Sequence, residues 1–193
     1  GDVVGFTSRI LPGEEGAKYL NTPETALFKK GRLIYALNFA KNTKRPNLVL
    51  VEGNIDVITL HQAGFDNVVA TMGTALTEEH ARILARYTKE LVLCYDNDPA
   101  GKKSTDRVLN ILKNADLNVR VLQLPNAYDG EGKPVKQDPD DFVKKFGPAV
   151  FEKCLNSSAG KNDYRLEVLI GNHNLDEEEG RMAFLKEAVE AVA

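Results

Sequence analysis

The middle of the chain alternates short apolar runs with longer segments of helical pattern. Four runs are apolar enough to form buried strands, and they cover residues 48–51, 67–70, 91–95 and 119–124. The segments between them, residues 55–62, 77–87 and 99–115, are predicted to be helices. Short apolar strands that alternate with helices are typical of a parallel sheet with helices on both faces. We therefore predict an α/β fold with right-handed crossovers.

Residues at the helix ends support this alternation. Thr77 can cap the helix that follows it, and Glu78 and Glu79 favour the positive end of that helix. His61 and His80 fall on predicted helices, where we interpret them as packing or partly exposed residues.

The two flanks of the sheet follow other patterns. Residues 3–11 predict a strand or hairpin edge, residues 18–30 a loop and residues 33–41 a short helix. After the fourth run, residues 126–137 predict a surface loop. Four further helices with no strand between them are predicted over residues 138–146, 148–156, 162–170 and 176–192. Small residues at 157–161 predict a boundary, which divides the chain into a basic N-terminal part (1–46), a central domain (47–157) and the start of a helical subdomain (158–193).

Charge is distributed unevenly along the chain. Residues 1–46 hold eight Lys or Arg against four Asp or Glu, while the whole chain has a net charge of −3, so the remainder carries −7. A positive segment beside an acidic body suits a protein that holds polyanions at one place and metal at another, but an ordinary solvated surface gives the same pattern. Two cysteines make neither a disulfide framework nor a zinc site, and we expect a reducing cytoplasm, with no signal peptide and no membrane span.

Acidic side chains follow three of the four predicted strands. Glu52 and Asp56 come after the first strand, Asp96 and Asp98 after the third, and Asp138 and Asp140 beyond the loop after the fourth. Because the carboxyl ends of parallel strands lie at one edge of a sheet, we expect these groups in one crevice. Their repulsion would be relieved by a divalent cation, and oxygen ligands favour Mg²⁺ or Mn²⁺ over zinc. Two such ions could stabilise the attacking and leaving oxygens of a phosphoryl displacement.

Two of these carboxylates also have a purely structural interpretation. Asp98 and Asp138 each precede a proline at a predicted helix start, so N-capping explains either one as well as metal binding does. Capping does not explain Glu52, Asp96 or Asp140. A P-loop ATPase is disfavoured because no glycine-rich loop ends in Lys-Ser or Lys-Thr.

Taken together, the motifs resemble the Toprim domain of bacterial DnaG-type DNA primases. The resemblance rests on Glu52-Gly53-x-x-Asp56, Asp96-x-Asp98 and Asp138-Pro139-Asp140, and it extends over the flanking residues 18–25, 28–31, 71–77 and 98–101. Topoisomerases and some nucleases share the carboxylates but not these flanks. The sequence departs from the family at Asn54-Ile55, where Tyr-Met is usual, at Asn97, where Gly is usual, and in a longer loop at 126–137.

The resemblance implies a Toprim-like fold, a basic N-terminal extension and a helical C-terminal tail. It implies metal-dependent synthesis of RNA primers on single-stranded DNA from ribonucleoside triphosphates. Glu52, Asp96 and Asp98 would be catalytic, and the metal ligands would be Glu52, Asp56, Asp96, Asp98, Asp138 and Asp140. Template and nucleotide would be bound by Arg9, Lys18, Asn21 and Lys30.

The resemblance also implies a larger enzyme of which this chain is one part. We expect more than one Mg²⁺ or Mn²⁺ ion, no zinc in this part, little activity in isolation, and a replicative helicase as partner through a domain absent here. The alternatives are a Toprim-type nuclease or topoisomerase fragment and a non-catalytic nucleotide- or DNA-binding module.

Overall fold

A computed structural model describes residues 2–192 apart from residues 11, 12, 14, 17, 18, 129, 132 and 136. The strands in this part of the chain are β1 (Thr7–Arg9), β2 (Tyr19–Asn21), β3 (Ile34–Tyr35), β4 (Leu48–Val51), β5 (Val68–Thr71), β6 (Glu90–Leu93), β7 (Asn118–Val121), β8 (Ala127–Tyr128), β9 (Pro134–Val135) and β10 (Ala159–Gly160). The α-helices are α1 (Leu37–Ala40), α2 (Asn54–Gln62), α3 (Glu78–Leu84), α4 (Pro99–Ile111), α5 (Pro139–Phe146), α6 (Pro148–Asn156), α7 (Lys161–Asn172) and α8 (Glu178–Val192), and a 3₁₀ turn (Leu112–Asn114) follows α4.

Six strands form the central sheet in the order β10-β7-β6-β4-β5-β3. The four inner strands are parallel, and the outer strands β3 and β10 are antiparallel to their neighbours. Two antiparallel hairpins, β1–β2 and β8–β9, lie outside this sheet. The mostly parallel α/β sheet flanked by helices is therefore confirmed.

Alternating side chains of the inner strands build one apolar cluster on each face of the sheet. Leu48 and Leu50 of β4 belong to the cluster that α3, α4 and Tyr164 of α7 cover. Val49 and Val51 point to the other cluster, which α2, α5 and α6 cover. All four β4 side chains are buried, which explains why this strand is a continuous apolar run rather than an alternating one.

The predicted helix over residues 33–41 is wrong in its first part. Ile34 and Tyr35 pair with Thr71 and Ala70 of β5 as an edge strand, and only residues 37–40 are helical. Ala36 between them has a φ of 62°, a left-handed conformation that separates strand from helix. Local apolar spacing suited a helix, but pairing with β5 determined the structure.

Three other segments contain strands that the pattern did not predict. β2 lies in the predicted loop 18–30, and the hairpin β8–β9 lies in the predicted loop 126–137. β10 lies in the predicted flexible boundary at 157–161, where Ala159 pairs with Val121 and Gly160 with Arg120. The division at residues 46 and 157 stays a prediction, but the residues just beyond 157 are joined to the sheet. Among the described residues, no helix combines the length and the apolar character that crossing a membrane requires.

Candidate active site

The start of α5 brings three carboxylates close together. One oxygen of each of Asp138, Asp140 and Asp141 lies within 4.8 Å of the others. Asp138 caps the helix, since its Oδ1 accepts a hydrogen bond of 2.8 Å from the Asp141 backbone N–H. Asp141 was not among the predicted site residues. Its signal was present in the acidic run at 138–141, but the predicted ligand set stopped at Asp140.

Asp56 connects this group to the β4 end of the sheet. Its carboxylate accepts hydrogen bonds from the backbone N–H of Gly53 at 3.1 Å and of Asp140 at 3.3 Å. Burial, aided by the negative charges of Asp138 and Asp96, raises the pKa of Asp56 to about 7, although the two backbone donors act in the opposite direction. Carboxylates from three strand ends therefore interact, as the sequence predicted. We call Asp56, Asp96, Asp98, Asp138, Asp140 and Asp141 the acidic edge.

Asp98 caps α4 in the way that the structural interpretation expected. Its Oδ1 accepts a hydrogen bond of 2.7 Å from the backbone N–H of Gly101. Gly101 has to be glycine because a Cβ there would lie 2.0 Å from the backbone oxygen of Asp96. The cap uses one Asp98 oxygen, so capping and metal binding are compatible roles for this carboxylate.

Asp140 has partners within the protein that the sequence analysis did not foresee. The hydroxyl of Thr59 on α2 donates to Oδ1 of Asp140, and the ammonium of Lys144 lies 2.7 Å from the same carboxylate. The bond to Asp140 raises the pKa of Lys144. The spacing of four residues between Asp140 and Lys144 on a helix was a signal that could have revealed this pair.

Glu52 directly follows β4 and is exposed. It lines a small pocket with Thr71, Tyr95, Ser104 and Arg107. Burial and the charge of Glu52 raise the pKa of the Tyr95 hydroxyl. The pocket thus combines an acidic, a basic and several hydroxyl side chains beside the acidic edge.

One of the predicted nucleic-acid contacts, Arg9, lies beside the carboxylates. The guanidinium carbon of Arg9 is 5.9 Å from the centre of the Tyr19 ring. Burial raises the pKa of Tyr19, the charge of Arg9 lowers it, and Asp56, Asp138 and Asp140 raise it, so hairpin β1–β2 is close to the acidic edge. Tyr19 was missed by the sequence analysis. Lys18 lies outside the described residues.

Asn21, at the end of β2, packs against the turn after β5. A Cβ on Gly73 would lie 2.2 Å from Nδ2 of Asn21, and Gly73 has a φ of +64°, a left-handed conformation that favours glycine. The Oδ1 of Asn21 is buried and makes no hydrogen bond with any residue in the described part of the chain. A buried acceptor without a partner costs free energy in the folded protein.

Lys30, the fourth predicted contact, lies in an irregular segment that packs on the start of α3. Its backbone N–H donates to Oε1 of Glu24 at 2.9 Å, and its backbone oxygen lies 2.9 Å from Nε2 of His80. His80 is fully buried, with none of its surface accessible. Its position on a predicted helix indicated a packing or partly exposed residue, and no local signal indicated these polar contacts.

The residues that depart from the resembled family have contacts of their own. Asn54 is buried on α2 and donates to the hydroxyl of Thr7 at 3.3 Å, which ties hairpin β1–β2 to the sheet. Asn97 donates to the backbone oxygen of Leu124 at 3.0 Å and to Oδ1 of Asn126 at 2.8 Å. Both departures therefore support the geometry around the acidic edge.

Three family models match successive parts of the chain. A Toprim-like model matches residues 49–143, a model of the N-terminal domain of the DNA primase catalytic core matches residues 1–41, and a model of the DnaB-helicase binding domain of primase matches residues 163–193. The first match defines the class: the sheet and its acidic edge are Toprim-like. The third match overturns the expectation that a helicase-binding domain is wholly absent from the chain.

Known primases resemble the chain over its whole length. The DNA primase of Clostridium acetobutylicum is 40% identical over 193 residues, covering 100% of this chain and 31% of the relative. The zinc-binding and RNA polymerase domains of Aquifex aeolicus primase give a TM-score of 0.80 at 32% identity, over 99% of this chain and 43% of that one. A DnaG primase catalytic domain bound to single-stranded DNA gives 0.79 at 33% identity, over 98% and 58%.

The matched family models and the similar proteins all indicate the same family. The chain belongs to the DnaG-type DNA primases. It spans about a third of the length of the curated relatives it matches.

Proposed function

We propose that this chain is the metal-binding part of a primase catalytic core, which synthesises short RNA primers on single-stranded DNA during chromosome replication. The observation that carries the proposal is the acidic edge, where oxygens of Asp138, Asp140 and Asp141 lie within 4.8 Å of one another and the charges of Asp138 and Asp96 act on buried Asp56. Charge of this density at the carboxyl end of a parallel sheet suits phosphoryl-transfer chemistry. In the reaction, a ribonucleotide 3′-hydroxyl attacks the α-phosphate of the next ribonucleoside triphosphate, so that a phosphodiester bond forms while the bond to the β-phosphate breaks and pyrophosphate leaves.

The side chains of the acidic edge fit a hard divalent cation. The group at the start of α5 offers only carboxylate oxygens. Mg²⁺ and Mn²⁺ prefer such oxygen ligands, whereas zinc does not require them. We assign metal binding to Glu52, Asp56, Asp96, Asp98, Asp138 and Asp140, and add Asp141. Bound divalent ions, more than one in this proposal, would supply neutralisation of the charge that develops on the transferred phosphoryl group.

The chain's own residues divide the remaining tasks. Exposed Glu52 would accept the proton of the attacking hydroxyl or complete the ligand set. Arg9, Lys18 and Lys30 would contact phosphates of the template or the incoming nucleotide. Asn21 would contact the same ligand. Positioning of this kind supplies most of the catalysis in phosphoryl transfer.

The comparisons support the partners that this proposal names. A homologous primase domain has been solved with single-stranded DNA bound, which supports a single-stranded DNA template here. The match of residues 163–193 to a DnaB-helicase binding domain supports contact with the replicative helicase through helices α7 and α8. Ribonucleoside triphosphates as substrates and a cytoplasmic location follow from the proposed reaction.

A primer-synthesis assay tests the proposal. The full-length primase that contains this chain would be given labelled ribonucleoside triphosphates, single-stranded DNA and Mg²⁺ or Mn²⁺, and should form short labelled RNA. Nicking or relaxation of DNA without nucleotide incorporation would instead establish a nuclease or topoisomerase. Binding without any turnover would establish a non-catalytic module.

A further inference from the structure

The basic turn, residues 29–32, contains Lys29, Lys30 and Arg32 but no regular secondary structure. Within the turn, the backbone N–H groups of Arg32 and Leu33 both donate to the oxygen of Lys29 at 3.0 Å. A short turn with two internal hydrogen bonds and three cations has little of its own to fix its conformation. Contacts with the rest of the protein must therefore determine where its charges lie.

The start of α3 supplies those contacts through two side chains. Thr77 donates its hydroxyl proton to the backbone oxygen of Gly31 at 2.7 Å. Nε2 of His80 lies 2.9 Å from the oxygen of Lys30 and 3.1 Å from that of Leu33. Three of the carbonyl groups at residues 30–33 are thus bonded to side chains that lie more than 40 residues further along the chain.

The donors and acceptors of Thr77 and His80 fix each other. The Thr77 backbone N–H donates to Nδ1 of His80 at 3.1 Å, so the imidazole proton resides on Nε2 and points at the turn. The Thr77 hydroxyl oxygen in turn accepts from the His80 backbone N–H at 3.2 Å. The helix cap and the contacts with the basic turn therefore form one hydrogen-bonded unit, which we call the Thr77–His80 brace.

Lys30 is held on both sides of its Cα. Its carbonyl is bonded to His80, and its N–H donates to Glu24 at 2.9 Å. Arg32 makes a further ion pair with Glu79 of α3, with 3.5 Å between Nε and Oε1. Fixing the backbone in this way lowers the conformational entropy that a lysine would otherwise lose when it contacts a phosphate.

We propose that Thr77 and His80 are positioning residues, which hold the basic turn so that Lys30 meets the phosphates of template or nucleotide. This inference rests on the phosphate-binding role of Lys30 in the proposed function. The segment from residue 71 to 80 also connects the brace to the pocket beside Glu52, because Thr71 and Thr74 line that pocket. The brace thus fixes the basic turn relative to the Toprim-like sheet.

The test compares Thr77→Val, which removes the hydroxyl, with Thr77→Ser, which keeps it, in the full-length primase. Ser158→Ala is the matched control, since it removes another buried hydroxyl-to-carbonyl hydrogen bond, of 2.8 Å to Leu155. Affinity for single-stranded DNA would be measured by fluorescence anisotropy, and KM and kcat for nucleotides by primer synthesis. Each Thr77 variant would also be combined with Lys30→Ala.

Thr77→Val should weaken DNA binding or raise KM by about threefold to tenfold, the worth of one lost hydrogen bond, with a smaller effect on kcat. Thr77→Ser and Ser158→Ala should stay close to wild type. In the Lys30→Ala background Thr77→Val should cause no further loss, because residues that act through one another are not additive. If Thr77→Val does not fold, His80→Asn should bind DNA more weakly than His80→Gln, whose amide can still donate to Lys30.

Four results would overturn the inference. The same loss in the Lys30→Ala background as in wild type would show that Thr77 acts only through general stability. An equal loss in Ser158→Ala would show the same. A normal Thr77→Val enzyme beside a weakened Lys30→Ala enzyme would remove the brace and leave the proposed function intact, whereas an unaffected Lys30→Ala enzyme would remove the role of Lys30 itself.

Discussion

The acidic edge and the basic turn are positioned by different kinds of interaction. Asp98 and Asp138 are placed by strand ends and helix caps within three residues of themselves. Lys30 is placed by hydrogen bonds from residues that are as far as 50 positions away in sequence. The comparison teaches that the two capping carboxylates are placed by local structure, whereas Lys30 depends on the docking of two separate parts of the chain.

The largest expected effect separates capping from catalysis in the acidic edge. Asp98→Asn keeps a cap acceptor for Gly101 but removes a negative charge, so primer synthesis by the full-length enzyme should fall by roughly 10²-fold or more while the melting temperature is kept. Asp96→Asn should behave alike. Asp116→Asn, at an exposed carboxylate paired with Lys89, is the control. Full activity of Asp98→Asn would leave Asp98 as a cap alone.

The isolated 193-residue chain should synthesise primers far more slowly than the full-length enzyme. It spans about a third of its relatives' length, and positioning of template and nucleotide is most of what the reaction needs. Rates of primer synthesis at equal protein and metal concentration would measure this. Comparable rates would mean that the acidic edge and the basic turn suffice together.

Asp56 should make the free energy of unfolding of the metal-free protein depend on pH. Its pKa rises from 3.8 in the unfolded chain to about 7 in the folded protein, so its stabilising contribution is complete below pH 4 and is lost as pH rises through 7. Relative to wild type, Asp56→Asn should therefore gain stability between pH 5 and pH 8, by roughly 1 kcal/mol or more. Thermal melts in a chelator would measure the gain.

The control for Asp56→Asn is Asp116→Asn, at a carboxyl group whose pKa is shifted in the opposite direction. A hydrogen bond with Lys89 lowers the pKa of Asp116, so Asp116→Asn should show no such gain in stability with rising pH. Adding Mg²⁺ or Mn²⁺ should stabilise wild type more than Asp56→Asn, because a ligand that binds only the folded state shifts the equilibrium toward it. Equal shifts in both proteins would remove Asp56 from the metal site.

The smallest effect concerns the cations. Lys30→Ala should weaken binding of single-stranded DNA and reduce the dependence of log K on log salt concentration by about 0.7, because one phosphate contact is lost. Arg9→Ala and Lys18→Ala should act similarly, while Lys113→Ala, in the 3₁₀ turn after α4, should not. Anisotropy titrations across a salt series would measure this. An unchanged slope for Lys30→Ala would confine nucleic-acid binding to other residues.

The sequence predicted those parts of the fold that depend on local pattern. The run at Leu48–Val51 became β4 with the predicted bounds, and Thr77 caps α3 as expected. Buried parallel strands and capped helices leave strong periodic signals, so the carboxylates at their ends could be located too. Asp141, which lies close to Asp138 and Asp140, was left out because the predicted ligand set stopped at Asp140.

The remaining features depend on contacts between distant segments. Ile34 and Tyr35 looked helical, and their pairing with β5 is not encoded in their own neighbourhood. His80 looked like a packing residue because nothing near it in sequence indicates that it bonds to Lys30 and Leu33. The contact of Lys144 with Asp140 could have been predicted from their spacing of four residues, but the contact of Thr59 with Asp140 could not.

The antiparallel strands β3 and β10 occupy the two ends of the central sheet, and each is two residues long. Longer edges expose rows of backbone donors and acceptors that can recruit strands of other molecules. Here β3 comes from the predicted N-terminal part and β10 from the predicted C-terminal part. Residues 47–157 expressed alone would uncover the full lengths of β5 and β7, so the flanking parts also protect the central sheet from self-association.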